Sequence, residues 1–494
     1  MPAALAVAFA AALQELSYAK FPAGGSIALS VIVMPEASKL GWSFLLQPGL
    51  LSTCLLVIYG TLLNNLQETR LYPRHWPWQR ADGPVLLPHS EHRGHSERDL
   101  CRQWSDAERR PFSTTSNTQV GMLMVASQMA FIIFLLLAEF DREDVDSKTR
   151  FDHVAGLSML TLVGLGLMRA FLKAYGLGAL GFCILITCLA IQWSIMLESI
   201  LLQRVPRIGL DSLVSGYLAA ATTLVSFGAL IGKVSLRQIL IALLIELPCY
   251  RLHRALMQTN SHLLHVRDGG LEIHLFGAFF GYSAARVLGP CEMDWLNQSS
   301  YVLDLLSLVG TLCFWVCFPS IDSLGAQTQH AHITMVLALL GSTVAAFAID
   351  SFCHSGKLEV ASIRAAVLAG GIATTAVADV IEPGLALMVG CASGTASVLG
   401  LRFLSNTSVD TCGVLSAHGI PAFLYAGVPM LQIGSGPRSP AFELCSCLLT
   451  ALLSGTCCGY LLRRVRTSES QEHAFSDETS WVCAKDVPRG SVNL

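Results

Sequence analysis

Apolar residues in this chain come in blocks of about twenty, the length a helix needs to cross the hydrocarbon of a bilayer, and polar residues gather between the blocks. Measured against that length, the chain falls into two parts around a polar stretch. The first part holds an alanine-rich segment from Met1 to Leu16, a Gly/Ser-containing apolar stretch from Phe21 to Met34 and a span from Phe44 to Leu63. From Asn64 to Asn117 the chain is polar, with eight arginines, several prolines and His89, His92 and His95, and reads as a loop or linker. The second part carries twelve candidate spans. The first six are Val120–Phe140, His153–Leu172, Leu177–Leu197, Leu213–Ile231, Leu236–Met257 and Glu272–Leu288. The other six are Val302–Phe318, Ala331–Ala348, Val360–Val377, Leu385–Leu401, Gly413–Ile433 and Phe442–Leu462. Gly and Ala are frequent in the later spans, as expected where helices pack closely without a hydrophobic drive between them.

Composition agrees with a polytopic membrane protein. Of the 494 residues 53% are hydrophobic and 14% charged, and the mean hydropathy is +0.54, more apolar surface than a soluble core of this length hides. A net charge of -3 gives no basic footprint for nucleic acid, and no phosphate-binding glycine motif stands out. The 16 cysteines lie mostly in apolar segments without metal-ligand spacing, and read as small buried hydrophobes. No secretory signal peptide is expected at the N-terminus.

Lys and Arg near the span ends set the orientation. The linker, the tail (Arg463, Arg464, Arg466) and the loops around Lys173 and around Lys233 and Arg237 are basic, whereas the loop Asp141–Asp152 is mainly acidic. This places the linker and C-terminus in the cytoplasm, although Arg204, Arg207, Arg251, Arg254 and Arg267 then fall on the outer side. The sequons at Asn297 and Asn406 face the cytoplasm in this arrangement and escape glycosylation.

Two histidines, His274 and His418, sit in the middle of small-residue apolar spans. An ionisable group that deep in a membrane marks a functional site by default, since an unpaired polar group in hydrocarbon costs several kcal/mol. The plainer reading is that the two imidazoles hydrogen-bond helices together.

Ordered motifs run through the second part: GLGLMRAFLKAYGLGALGF (164–182), AIQW (190–193), LLHVRDGGLEIHLFGAFFG (263–281), GTLCFWVCFPSIDS (310–323), AAVLAGGIA (365–373) and DTCGVLSAHGIP (410–421). In this order they resemble the Rh glycoprotein branch of the ammonium transporter (Amt/Mep/Rh) superfamily, from about Met122 to Arg464. The resemblance implies an all-α bundle of 11 or 12 transmembrane helices with an inverted repeat, assembled as a homotrimer in the plasma membrane. It further implies a channel or transporter for ammonium/ammonia, not an enzyme, with no cofactor and no metal. His274 and His418 match the family's twin-His pair, which lines the pore. Neutral imidazole both donates and accepts and passes on a proton near neutral pH, and ammonia loses far less solvation in an apolar pore than ammonium does.

Several positions depart from the family pattern. Asp268 lies six residues before His274, closer than the family's acidic residue that braces the pore entrance. Asp410 matches an inner-side aspartate, and for both an ordinary helix N-cap is the alternative. The two stacked phenylalanines of the family's outer gate are replaced by Leu189, before AIQW with its Trp193, and by Cys313; Phe314 is adjacent, but one residue turns a helical side chain by about a hundred degrees. A wider gate is expected. Met257 stands where the vestibule carries an acid, and Leu415 and Ser416 replace the usual HN pair. Glu272 adds a charge before His274, either as a substitute recruitment group or as a helix-end residue without a role.

The N-terminal part resembles the last part of the HPP family, membrane proteins some of which move nitrite, through AKFPAGGSIAL (19–29), LGWSFLLQPGLL (40–51) and YGTLLNNLQETRLYPRHW (59–76), with Lys20, Phe21 and Pro22 in place of His-Pro-Pro. The expected organisation is an HPP-like segment over 1–76, a cytoplasmic linker over 77–118 whose three histidines are either solvated or donors to a transition metal, the transporter-like domain over 119–465 and a cytoplasmic tail over 466–494. Non-conducting structural or sensing proteins, and conduits for CO2 or nitrite, are the competing functions.

Overall fold

The computed structural model describes residues 114–140, 147–201, 207–259, 270–291, 299–322, 328–375, 377–379, 381–404, 409–424, 440–466, 475–477, 480 and 481. The HPP-like segment, the linker histidines, Asp268, both sequons, Arg204 and Arg267 lie outside the described residues. One helix, α1 (Thr114–Leu136), belongs to an N-terminal unit spanning Met1–Leu137. The remaining elements form a second unit, Ala138–Leu494.

Among its described residues that second unit is built of helices and turns apart from one parallel bridge, in which β1 (Glu139–Phe140) pairs with β2 (Arg207–Ile208). Helix α2 (Ser147–Ser158) widens into a π-helical turn (Met159–Leu165) and ends in the short α3 (Gly166–Met168). There follow α4 (Gly176–Leu201), α5 (Leu210–Leu230), α6 (Leu236–Thr259) and α7 (Gly270–Leu288). Next come α8 (Tyr301–Cys317), which tightens into a 3-10 turn (Phe318–Asp322), and α9 (Thr328–Cys353). The last elements are α10 (Val360–Ala366), α11 (Ala369–Thr374), α12 (Pro383–Phe403), a π turn (Leu415–Gly419) and α13 (Pro440–Val465).

Within the described residues, each of the twelve expected spans overlaps helix. Among the described residues, eight are long and apolar enough to cross a membrane by themselves. Helices α6 and α7 are outside that group; α6 carries Arg237, Glu246, Arg251 and Arg254 and has Pro248 inside it, which removes one backbone donor. Two spans differ in detail from the expectation. Val360–Val377 is broken into α10 and α11 at Val367 and Leu368, and the stretch from Gly413 starts as a π turn, with helical residues described to Leu424.

Packing explains where the core sits. The α5 window is 83% buried, while the other long spans are 28–44% buried, so α5 runs through the middle and its neighbours keep one apolar side outward. Leu312, Val316, Val344, Phe352, Met388, Leu449 and Leu453 are exposed on those sides, a surface suited to acyl chains. Helix α7 lies against α5 and α13, and α9 against α12. Close approach depends on small residues: a Cβ at Gly277 of α7 would stand 2.6 Å from the Thr222 carbonyl oxygen of α5, and one at Gly390 of α12 would overlap the Ala338 carbonyl of α9.

Candidate functional site

His274 occupies the second turn of α7 and His418 the π turn, and the fold brings them together. Their Nδ1 atoms are 3.2 Å apart, so one donates and the other accepts. The rings lie 5.2 Å apart at 12°, and both residues are buried. A π turn carries one extra residue per turn and re-aims its side chains, a device found often at functional positions. The segment before it is fixed by Asp410, whose carboxylate accepts from the backbone N–H groups of Val414 at 2.9 Å and Leu415 at 3.0 Å, and by Gly413, whose φ of +63° suits glycine. Asp410 thus has the geometry of a helix cap. Cys412 N–H donates to the Gly228 carbonyl at 3.2 Å, and Thr411 Oγ1 to that of Ile231 at 3.1 Å, tying this loop to the end of α5. Lys233, in the connection from α5 to α6, donates from Nζ to the carbonyls of Val409 and Ala229, and burial pushes its ammonium down to about 8.

Phe318 also stands against His274, with ring centroids 5.9 Å apart at 12°. Phe318 in turn meets Phe314 edge-on at 5.6 Å. A column Phe314–Phe318–His274–His418 therefore runs through the bundle. Of the four expected gate positions, Phe314 is buried in this column, while Cys313, one residue away, turns aside and its Sγ lies 3.8 Å from the Met159 carbonyl oxygen. Leu189 and Trp193 are buried on α4. Phe318 is the residue that the sequence reading missed. Its signal was the FP step at the end of α8, where the helix tightens to 3-10 and a side chain is displaced from the α-helical face.

Glu272, in the first turn of α7, is buried, with a carboxylate oxygen 3.8 Å from His253 Nε2 of α6. A negative charge is favoured at a helix N-terminus, so Glu272 has a local electrostatic partner besides any cation arriving from outside. Arg251 of α6 pairs with Glu198 of α4 at 2.7 Å. His418 also lines a small cavity with Met168, Arg169, Arg364, Leu368 and Cys412; neither arginine was singled out from sequence.

Comparisons with known proteins agree with this architecture. Residues 120–430 match the model of the Ammonium Transporter Family, and residues 1–73 match the HPP transmembrane region. A dog protein, "Ammonium transporter Rh type A", is 32% identical over 76% of this chain and 98% of its own length. Frog "Ammonium transporter Rh type C" (Xenopus tropicalis) is 30% identical over 67% of this chain and 81% of its own. The solved Rh50 structure from Nitrosomonas europaea superposes with a TM-score of 0.63 at 24% identity, covering 68% of this chain and 92% of Rh50. The Saccharomyces cerevisiae Mep2 structure superposes at 0.53 and 14% identity, covering 64% and 84%; at such identities the two structures speak for the fold. With a family model over most of the chain and a relative matched along nearly its whole length, this membrane protein belongs to the ammonium transporter family, a family of transporters and channels rather than enzymes.

Proposed function

We propose that the chain conducts ammonium/ammonia across a membrane through a pore centred on His274 and His418. The observation that carries this reading is the buried imidazole pair, hydrogen-bonded at 3.2 Å and flanked by phenylalanine. Burying two titratable rings where leucine would pack is costly unless the site uses them, and a neutral pair gives a neutral solute a donor and an acceptor midway across. Phe314 and Phe318 exclude water on the His274 side, which penalises an ion far more than a neutral molecule. Asp410 and Lys233 hold the π turn in place from the other end. By the same reading the chain is a homotrimer in the plasma membrane, with its linker and C-terminus in the cytoplasm, and Glu272, together with Asp268, serves the pore entrance.

The test is methylammonium flux in a yeast strain lacking its own ammonium transporters, comparing wild type with His274→Ala and His418→Ala at matched surface expression. Flux above the empty vector that both changes alter supports the pore. A wild-type protein at the surface that carries nothing would make the chain a non-conducting structural or sensing relative.

A further inference from the structure

Arg169, in the turn after α3, and Arg364, in α10, lie beneath His418 and carry charge into the interior. They are 2% and 8% exposed. A guanidinium stays protonated in a protein, and a buried charge without an opposite partner is strongly destabilising. Yet among the described residues neither forms an ion pair. Their hydrogen-bond partners are neutral. Arg169 donates to the Leu224 carbonyl and, at 3.6 Å, to Cys183 Sγ, and its Nε is buried with no partner at all. Arg364 donates to Ser307 Oγ at 2.9 Å and sits 4.0 Å above the Phe171 ring. The acidic groups on the elements around Arg364 are engaged elsewhere: Glu359 is mostly exposed and accepts from Ser362 Oγ at 3.0 Å, and Asp304 takes the Ser299 hydroxyl. Asp410 is occupied by the backbone of the π turn.

Between the two guanidinium groups is a cavity with about 20 Å³ open to the centre of a water-sized molecule. One such molecule needs about 10–15 Å³ on that measure. Two cations without an ion pair among the described residues, an orphaned Nε–H and a space for one small group point to a missing anion. We propose that this cavity binds a small monovalent anion, a halide or a planar oxyanion of the size of nitrite or nitrate, between Arg169 and Arg364 and against His418. The planar fork of a guanidinium matches an oxyanion in two parallel hydrogen bonds. This assignment stands apart from conduction by the histidine pair: the anion completes the charge balance of the bundle whether or not solute passes above it.

The experiment is thermal unfolding of the purified full chain in lipid nanodiscs, titrated with sodium chloride, nitrite or nitrate and held at constant ionic strength with sodium gluconate, an anion too large for the cavity. The expected result is a saturable rise in the unfolding midpoint with a small anion and none with gluconate. Arg169→Gln and Arg364→Gln should each weaken the apparent affinity about tenfold or more, the loss of one charge-assisted hydrogen bond, and Arg364→Lys should keep part of it. A wild-type midpoint equal in all four salts overturns the proposal, and this arm holds even if the glutamine variants fail to fold. A response that is absent from wild type and appears only in Cys412→Ala overturns it too, because the thiol beside the arginines would then be their counter-charge.

Discussion

A double-substitution cycle on the histidine pair reports whether the 3.2 Å contact is a hydrogen bond that the fold depends on. Phenylalanine is the informative replacement, since it keeps a planar aromatic ring, slightly larger than imidazole, against Phe318 and removes both nitrogens. With His274→Phe alone, His418 Nδ1 remains buried without its partner, and the reverse holds for His418→Phe. Each single change should cost about 1–3 kcal/mol, the penalty for stranding a buried polar group. The double variant strands nothing, so its loss should fall short of the sum of the singles by a coupling of about 1–2 kcal/mol. Reversible unfolding in bicelles measures all four proteins. Losses additive to within about 0.5 kcal/mol, the scatter of independent sites, would refute a hydrogen-bonded pair. Flux on the same four proteins adds a second readout: a structural pair changes stability alone, whereas a pore pair changes flux in every variant that still folds.

Other expectations rest on the frame around the pair. Lys233 has a folded value of about 8 against an ordinary 10.5. Its neutral form is favoured in the fold, so the unfolded chain holds the extra proton between those values and stability should rise with pH from about 8 to 10.5, by up to about 3 kcal/mol. A Lys233→Met protein should lose that rise in an unfolding series across the window. Gly390→Leu should destabilise the α9–α12 seam by about 1–3 kcal/mol through overlap with the Ala338 carbonyl. Gly384→Ala, where nothing lies within 4 Å of a new Cβ, should be neutral or stabilise by up to about 1 kcal/mol; thermal shifts on the two variants check both. The tail residue Phe475 is 1% exposed, its N–H donates to the Gly232 carbonyl at 2.7 Å, and Asp477 caps α4 by accepting from Leu177 and Gly178 N–H. Phe475→Ala should therefore speed amide exchange at Leu177 and Gly178 about tenfold or more.

The spans were legible because hydrocarbon thickness fixes a length, and His274 and His418 because an imidazole among Ala, Gly and Leu contradicts its surroundings. Their pairing was supplied by family motifs; nothing within either span says that α7 and the π turn meet. The gate was harder to read. Leu189 and Cys313 suggested an open mouth, yet Phe318, reached through a 3-10 turn, covers His274, since a change of helical pitch moves a side chain to a face that a constant period cannot locate. Glu272 read as a lone charge because His253, 3.8 Å away, lies on another helix. Arg364 illustrates a rule applied too narrowly: it sits inside the apolar Val360–Val377 stretch and meets the same criterion as the histidines.

The two arginines also bear on which species passes the pair. A solute leaving His418 on the cavity side meets two guanidinium groups that one monovalent anion leaves with a net positive charge, whose field in a poorly polarisable interior acts over more than one contact distance. An ammonium ion would be repelled there, and a neutral ammonia molecule would not. Proteoliposome flux at constant total ammonium is therefore expected to follow the ammonia fraction as pH is varied, with no dependence on an imposed membrane potential. Flux that follows the ammonium concentration, or that an inside-negative potential accelerates, would contradict this. It would mean that the positive charge left beneath His418 is neutralised during transport, by a second anion or by the Cys412 thiolate. Arg364→Gln separates these cases, because removing one cation should raise the potential dependence of flux only if the arginines are what holds ammonium back.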